Sequence, residues 1–229
     1  MQRRNPRRVR KRVAPSCRVC GLMLSTCVCD LLPRIRSRVE LVVYQHFSEL
    51  NRQSNTGRLV AHMIEPSRIL QWGSETPIPE TTFDEPDAVT YVLFPRSTMN
   101  VLSAEHVATD GRRTSLILLD ATWGQARSMS RRIPAIQSLP FLSLPEGDTP
   151  TWKLRRSPGS GQCCTLEAAY RAVSILDGES VAAPLMTALE LIMARGLHQR
   201  GKIRRAEMEA TCEPLLATLA QAKAAAEPA

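Results

Sequence analysis

The stretch Leu116-Ile117-Leu118-Leu119-Asp120-Ala121-Thr122-Trp123-Gly124-Gln125 decides the fold. Its first half is a short continuous apolar run, the pattern of a strand buried on both faces of a parallel sheet. It ends abruptly in Asp, Thr and Trp, and helix-forming sequence follows. In open α/β sheets ligands bind outside the carboxyl ends of the strands. This run therefore delivers a carboxylate, a hydroxyl and an aromatic ring to the edge where chemistry is done.

Working outward, four more strands are predicted: 39–44, ending at Gln45-His46; 68–72; 88–94, halted by Pro95; and 141–144. The strand of the opening stretch spans 115–119. Helices are predicted over 58–64, stopped before Pro66, over 125–132, stopped before Pro134, over 165–176, ending near Gly178, and over 181–197. An Ala- and Glu-rich tail from about Arg204 is expected to break at Pro214. Residues 74–87 and 145–162 read as surface loops. Strands alternating with helices indicate an α/β fold with a mainly parallel sheet. No G-x-G-x-x-G or Walker pattern follows the first strand, which argues against nicotinamide and ordinary nucleoside-triphosphate enzymes.

At 229 residues and 43% hydrophobic content, the chain suffices for one domain with small appendages. No apolar run approaches the roughly 18 residues of a membrane span, so no membrane partner is expected. The basic N-terminus has no apolar segment behind it, unlike a secretory signal, and a cytoplasmic setting is expected. Eleven Lys and Arg residues stand in the first 38 positions against Asp30 alone, more than the whole chain's net +8. Basicity gathered at one end suits a polyanion such as nucleic acid, against the alternative of a solvated arm with no partner.

Seven cysteines occur, four of them as Cys17-x2-Cys20-x6-Cys27-x-Cys29. In a chain without an export signal such crowding points to a tetrahedral structural Zn²⁺ site rather than disulfides; free or oxidised thiols are the alternative. Cys163, Cys164 and Cys212 read as packing residues. Further polar clusters lie at strand ends. His46 to Arg58 includes Glu49, Arg52, Asn55, Thr56 and Gly57, a loop able to hold a polar ligand or to be mere solvated surface. Trp152-Lys153-Leu154-Arg155-Arg156 sets basic residues beside an aromatic ring, a pairing that suits RNA. Thr165 is a candidate helix cap.

Together these pieces resemble the DTW-domain proteins. Asp120-Ala121-Thr122-Trp123 is similar to that family's D-x-T-W signature. His46, Asn55-Thr56-Gly57-Arg58, Leu93-Phe94-Pro95 and Thr165-Leu166-Glu167-Ala168 follow the order of its other blocks, and the four cysteines are similar to the zinc motif of its bacterial members. Three departures stand out. Phe47 follows the His where the family usually has Pro; Arg96-Ser97-Thr98 replaces small and acidic residues; Cys164 replaces Ser before Thr165.

The resemblance implies a SPOUT-like knotted α/β fold, mainly parallel, with flanking helices and a small N-terminal zinc segment. It divides the chain into a disordered basic arm (1–13), a four-cysteine zinc-binding segment (14–34), a catalytic domain (35–203) and a helical tail (204–229). It implies transfer of the 3-amino-3-carboxypropyl group of S-adenosylmethionine to N3 of a tRNA uridine, releasing 5′-methylthioadenosine. The catalytic candidates are Asp120, Thr122 and Trp123. Asp120 is either the base for N3–H or a group that holds the cofactor or caps a helix. Thr122 orients a ligand or Asp120. Trp123 stacks on the base, walls the cofactor pocket or packs in the core. Leu93, Phe94, Pro95, Leu118, Leu119, Asp120, Thr165 and Glu167 are expected around the cofactor. His46, Glu49, Arg52, Asn55, Thr56, Arg58, Lys153, Arg155 and Arg156 are expected toward the tRNA. The metal ligands are Cys17, Cys20, Cys27 and Cys29. Two alternatives remain open: a SPOUT-type RNA methyltransferase and a non-catalytic zinc-ribbon RNA-binding protein.

Overall fold

The computed structural model describes residues 14–73, 83, 85–96, 100–147, 151–155 and 162–226. The expected arm over 1–13 and Arg156 lie outside the described residues, and so does most of the acidic loop over 74–87. Five strands form one sheet: β1 (Ile35–His46), β2 (Ile64–Trp72), β3 (Ala88–Leu93), β4 (Arg113–Asp120) and β5 (Phe141–Leu142). Their order is β2-β1-β4-β3-β5 and every pairing is parallel. The helices are α1 (Gly57–Met63), α2 (Trp123–Arg132), α3 (Thr165–Asp177), α4 (Glu179–Gln199) and α5 (Arg205–Ala226). The expected mainly parallel α/β architecture is therefore the one found. A knot would thread the chain after β5, where 148–150 and 156–161 lie outside the described residues.

Both faces of the sheet are covered, and that explains the unbroken apolar reading of β1 and β4. Leu41, Val43, Leu116 and Leu118 join one core with α1, α3 and α4. Val42, Tyr44 and Ile117 join a second core with α2 through Ala126 and Met129. The pairing of β1 with β4 aligns Leu41 with Leu116, Val43 with Leu118 and Gln45 with Asp120. Side chains alternate between faces along a strand. Gln45 and Asp120 thus end the row that faces α1 and α3.

Three expectations are corrected. The strand predicted from Arg68 begins at Ile64, directly after α1. It includes Pro66, which is tolerated because β2 is an edge strand and lacks a neighbour for every N–H. The last strand is only two residues long. The tail does not break at Pro214: α5 runs through it, with Cys212 before and Leu219 after buried in the main core. Tertiary contact on both sides of the proline outweighs its local cost. By length and composition alone α4 matches a membrane span, yet it lies between α3 and α5 with Leu185, Leu189 and Ile192 fully buried.

The cysteine segment does not stand apart. Cys20, Leu22, Val28 and Leu32 are buried in the main core. Arg195 of α4 donates to the Thr26 carbonyl (3.1 Å), and Lys223 of α5 donates to that of Asp30 (2.7 Å). Gly21 has a positive φ and lies so close to the backbone carbonyl of Gln53 that an added Cβ would overlap its oxygen. Only glycine fits there.

Candidate active site

A cavity of about 390 Å³ opens at the carboxyl ends of β3, β4 and β5. Leu93, Phe94 and Pro95 form one wall, Leu118, Leu119 and Trp123 another. Its far side is closed by Trp152 and by Cys163, Thr165, Glu167 and Arg171 around the start of α3. The rings of Phe94 and Trp123 face each other at 5.7 Å with a 35° tilt. Trp123 forms part of the cavity wall and packs, partly buried, against the second core. Arg96, one of the departures from the family pattern, lies over the Phe141 ring at 4.8 Å.

Seven of the eight residues expected around the cofactor line this cavity. The exception is Asp120. It is 2% exposed and does not belong to the lining. Its Oδ2 accepts from Gln45 Nε2 (2.9 Å) and Asn55 Nδ2 (2.6 Å), and its Oδ1 accepts from the Thr165 hydroxyl (2.6 Å). Gly57, the first residue of α1, presses against it: a Cβ there would lie 2.5 Å from the carboxylate carbon. Negative charge at a helix start is favourable. Asp120 thus ties β1, the 54–57 loop and α3 together.

Asn55 is saturated. Besides Asp120 it donates to Glu49 Oε2 (3.2 Å), and its Oδ1 accepts from Gln45 Nε2 (3.3 Å) and from the Arg58 amide (3.2 Å). Glu49 is fully buried and paired with Arg155, which also donates to the Ser54 hydroxyl (3.0 Å). Arg58 braces the loop from within, donating to the carbonyls of Leu50 (3.3 Å) and Arg52 (2.6 Å); burial pulls its pKa down. Thr56 and Arg155 reach the cavity lining; His46, Glu49, Arg52, Asn55, Arg58 and Lys153 do not. Lys153 is exposed.

Two hydroxyls exchange the roles read from sequence. Thr122 caps α2 in a reciprocal pair with Gln125, its hydroxyl 2.7 Å from Gln125 Oε1. Cys164, not Thr165, caps α3, with Glu167 as the return partner. That frees the Thr165 hydroxyl for Asp120. Glu167 lines the cavity but its oxygens are taken, by the amides of Thr151 and Trp152 (3.1 Å) and of Cys164 (2.7 Å). Burial pushes the Cys163 thiol up to about 11 and that of Cys164 well above its ordinary value, so neither is a thiolate nucleophile at neutral pH.

His46 lies outside the cavity. Its Nδ1 accepts from the Ser48 amide (3.2 Å) and burial lowers its pKa. Sequence reasoning missed Gln45, Arg171 and the true place of Trp152. The expected RNA-facing ring of Trp152 is 5% exposed and lines the cavity, and its buried Nε1–H has no protein acceptor among the described residues. Gln45 is visible in the sequence as a polar residue closing an apolar strand, but its meaning requires the register with Asp120.

The four cysteine sulfurs lie within 4.8 Å of one another, with Cys17–Cys29 and Cys20–Cys27 each at 3.7 Å. A tetrahedron with Zn–S bonds of about 2.3 Å has S···S edges of about 3.8 Å. The Val19 amide donates to Cys17 Sγ (3.4 Å), and Cys20 is drawn down to about 5, chiefly by its hydrogen bond with Cys29. The donor set fits structural zinc and leaves no open position for catalysis.

The DTW domain family matches residues 14–197. Among similar proteins, tRNA-uridine aminocarboxypropyltransferase 2 of Drosophila melanogaster is 27% identical over 171 residues, 70% of this chain and 66% of that protein. The Mus musculus protein of the same name is 24% identical over 198 residues, 83% of this chain and 66% of that one. The matches thus span just under two-thirds of those relatives' length. Among solved structures, the SAM-dependent rRNA:acp-transferase Tsr3 from Vulcanisaeta distributa aligns with a TM-score of 0.43 at 13% identity, covering 80% of this chain and 98% of that one.

Proposed function

The chain belongs to the DTW-domain family, and from that premise we propose that it is a tRNA-uridine aminocarboxypropyltransferase. It transfers the 3-amino-3-carboxypropyl group of S-adenosylmethionine to N3 of a uridine. The cavity at the carboxyl ends of β3, β4 and β5 carries this reading. Its volume of about 390 Å³ lies in the range of small-molecule sites, and it joins apolar walls to a few polar groups. The relatives bearing this activity in their names support it.

In the reaction N3 gives up its proton to solvent water and attacks Cγ of the donor. The Cγ–S bond breaks, and the sulfur leaves as the neutral thioether 5′-methylthioadenosine. The sulfonium is its own activated leaving group, so the protein's work is mostly positioning. Phe94 and Trp123 wall the donor's aromatic portion. Arg155 and Arg171 supply positive charge at the cavity for its carboxylate, and the Trp152 ring closes its far side. Asp120 is assigned as a positioning residue: acting as the base would require it to release one of three donors. Zinc holds the Cys17–Cys29 segment, and the basic arm adds affinity for tRNA backbone.

The test is mass spectrometry of nucleosides from unmodified tRNA incubated with the protein and S-adenosylmethionine. The expected result is aminocarboxypropyl-uridine with equimolar 5′-methylthioadenosine. S-adenosylhomocysteine with a methylated nucleoside would assign a methyltransferase instead. Absence of both products and of cofactor binding would assign an RNA-binding module.

A further inference from the structure

Phe47 is a large apolar residue left open. It is 46% exposed, although it follows a strand whose last six residues are buried. The ring is not loose. His46 lies against it at 4.7 Å with a 32° tilt, and Trp72 backs His46 at 5.6 Å. Gly73, at positive φ, passes beneath the ring edge; a Cβ there would come within 3.1 Å of it. Three aromatic side chains at the ends of β1 and β2 thus form one braced cluster, Trp72 inclined at 56° to His46, with Phe47 as its open outer ring.

Its surroundings are polar. Arg52, 48% exposed and paired with Glu49 (3.4 Å), donates from Nε to the carbonyl of Ser48 (3.3 Å), the residue after Phe47. The platform is also joined to the cavity: Ser48 Oγ accepts from Gln125 Nε2 (3.0 Å), and Gln125 sits in the first turn of α2 with Thr122 and Trp123, which line the cavity. A braced ring open to solvent, near an exposed arginine and tied through Ser48 and Gln125 to the helix start that lines the cavity, matches how proteins hold unpaired bases. We propose that Phe47 is the stacking platform for an unpaired nucleobase of the RNA substrate adjoining the target uridine. The proposal rests on the reaction assigned above for the identity of the RNA.

The experiment compares the full-length zinc-loaded protein with Phe47→Ala, Phe47→Leu and Phe47→Trp. Equilibrium binding of unmodified tRNA is read beside steady-state kinetics, donor affinity and melting midpoint. Phe47→Ala is expected to weaken tRNA binding and raise KM for tRNA about ten-fold, within the range of one lost base stack. Affinity for S-adenosylmethionine stays as in the parent. Phe47→Trp restores binding and Phe47→Leu does not, since a plane is needed rather than apolar area. Parental tRNA affinity in Phe47→Ala, or full rescue by Leu, overturns the proposal. Because binding is read without turnover, absence of aminocarboxypropyl-uridine would sink the reaction assignment and still leave the platform tested.

Discussion

Thr165 separates two regions built in opposite ways. On one side its hydroxyl meets Asp120, where Gln45, Asn55 and Glu49 bond one another out of reach of solvent and half-buried Arg155 pairs with Glu49 from the cavity lining. On the other side lies the open cavity, whose walls are mostly apolar, with Arg171 and the Trp152 ring at its lining. The first region is closed and the second is waiting. The residue that stands out in sequence, Asp120, belongs to the closed one. A buried polar network of this density holds a structure to one geometry, with Glu49 Oε1 left only the ion pair with Arg52 at 3.4 Å. The carboxylate here fixes the edges of the cavity rather than entering it.

The sharpest way to break this contrast is Asp120→Ala. It strands the buried amide donors of Gln45 and Asn55, each worth roughly 1–3 kcal/mol, and frees the half-buried Thr165 hydroxyl, so a loss on the order of 3 kcal/mol or more is expected in urea denaturation. A parental midpoint with lost activity would return Asp120 to chemistry. Zinc removal tests how far the closed region extends. Because Cys20, Leu22, Val28 and Leu32 share the main core, chelation is expected to lower one single thermal transition by roughly 5–10 °C. A separate early transition would show a detachable segment.

Trp152→Phe probes the waiting region. It keeps an aromatic ring but cuts back the far wall of the cavity, and the dissociation constant for S-adenosylmethionine is expected to rise about 3- to 10-fold in calorimetry. An unchanged constant would take Trp152 out of the binding set. The smallest effect is the pH dependence of His46. Burial lowers its folded pKa below the ordinary histidine value of 6.5, so the unfolded chain binds more protons as pH falls. Its contribution to stability is present above about pH 6.5 and is lost as pH drops through the folded value. The melting midpoint should fall between pH 7 and 5, and that of His46→Gln should fall less.

Strands and helices were legible because each lies in a continuous segment with its own period. Val39 to Tyr44 reads as a buried strand without help. The limits of local reading appear where distant residues decide. Pro214 stays helical because Cys212 and Leu219 are gripped from outside the helix. The partners of Asp120 are 75, 65 and 45 positions away, so its role emerges only from the pairing of β1 with β4. The motif Asp120-Ala121-Thr122-Trp123 points to a strand end, and the cavity opens beside it. It does not reveal that neighbouring residues there face opposite ways, Asp120 into the lock and Trp123 into the cavity. Trp152 looks like an RNA contact among cations, whereas Glu167 draws its backbone inward.

The contacts that seat the cysteine segment also set an order of assembly. A ribosome delivers Cys17 to Cys29 first, and that segment can capture its metal within moments of emerging. Its packing partners arrive much later: Arg195 and Gln199 lie near the end of α4, and Lys223 bonds a carbonyl 193 positions behind it. During synthesis the apolar residues of this segment therefore lack these covers until α4 and α5 exist. The arrival of those two helices closes over it.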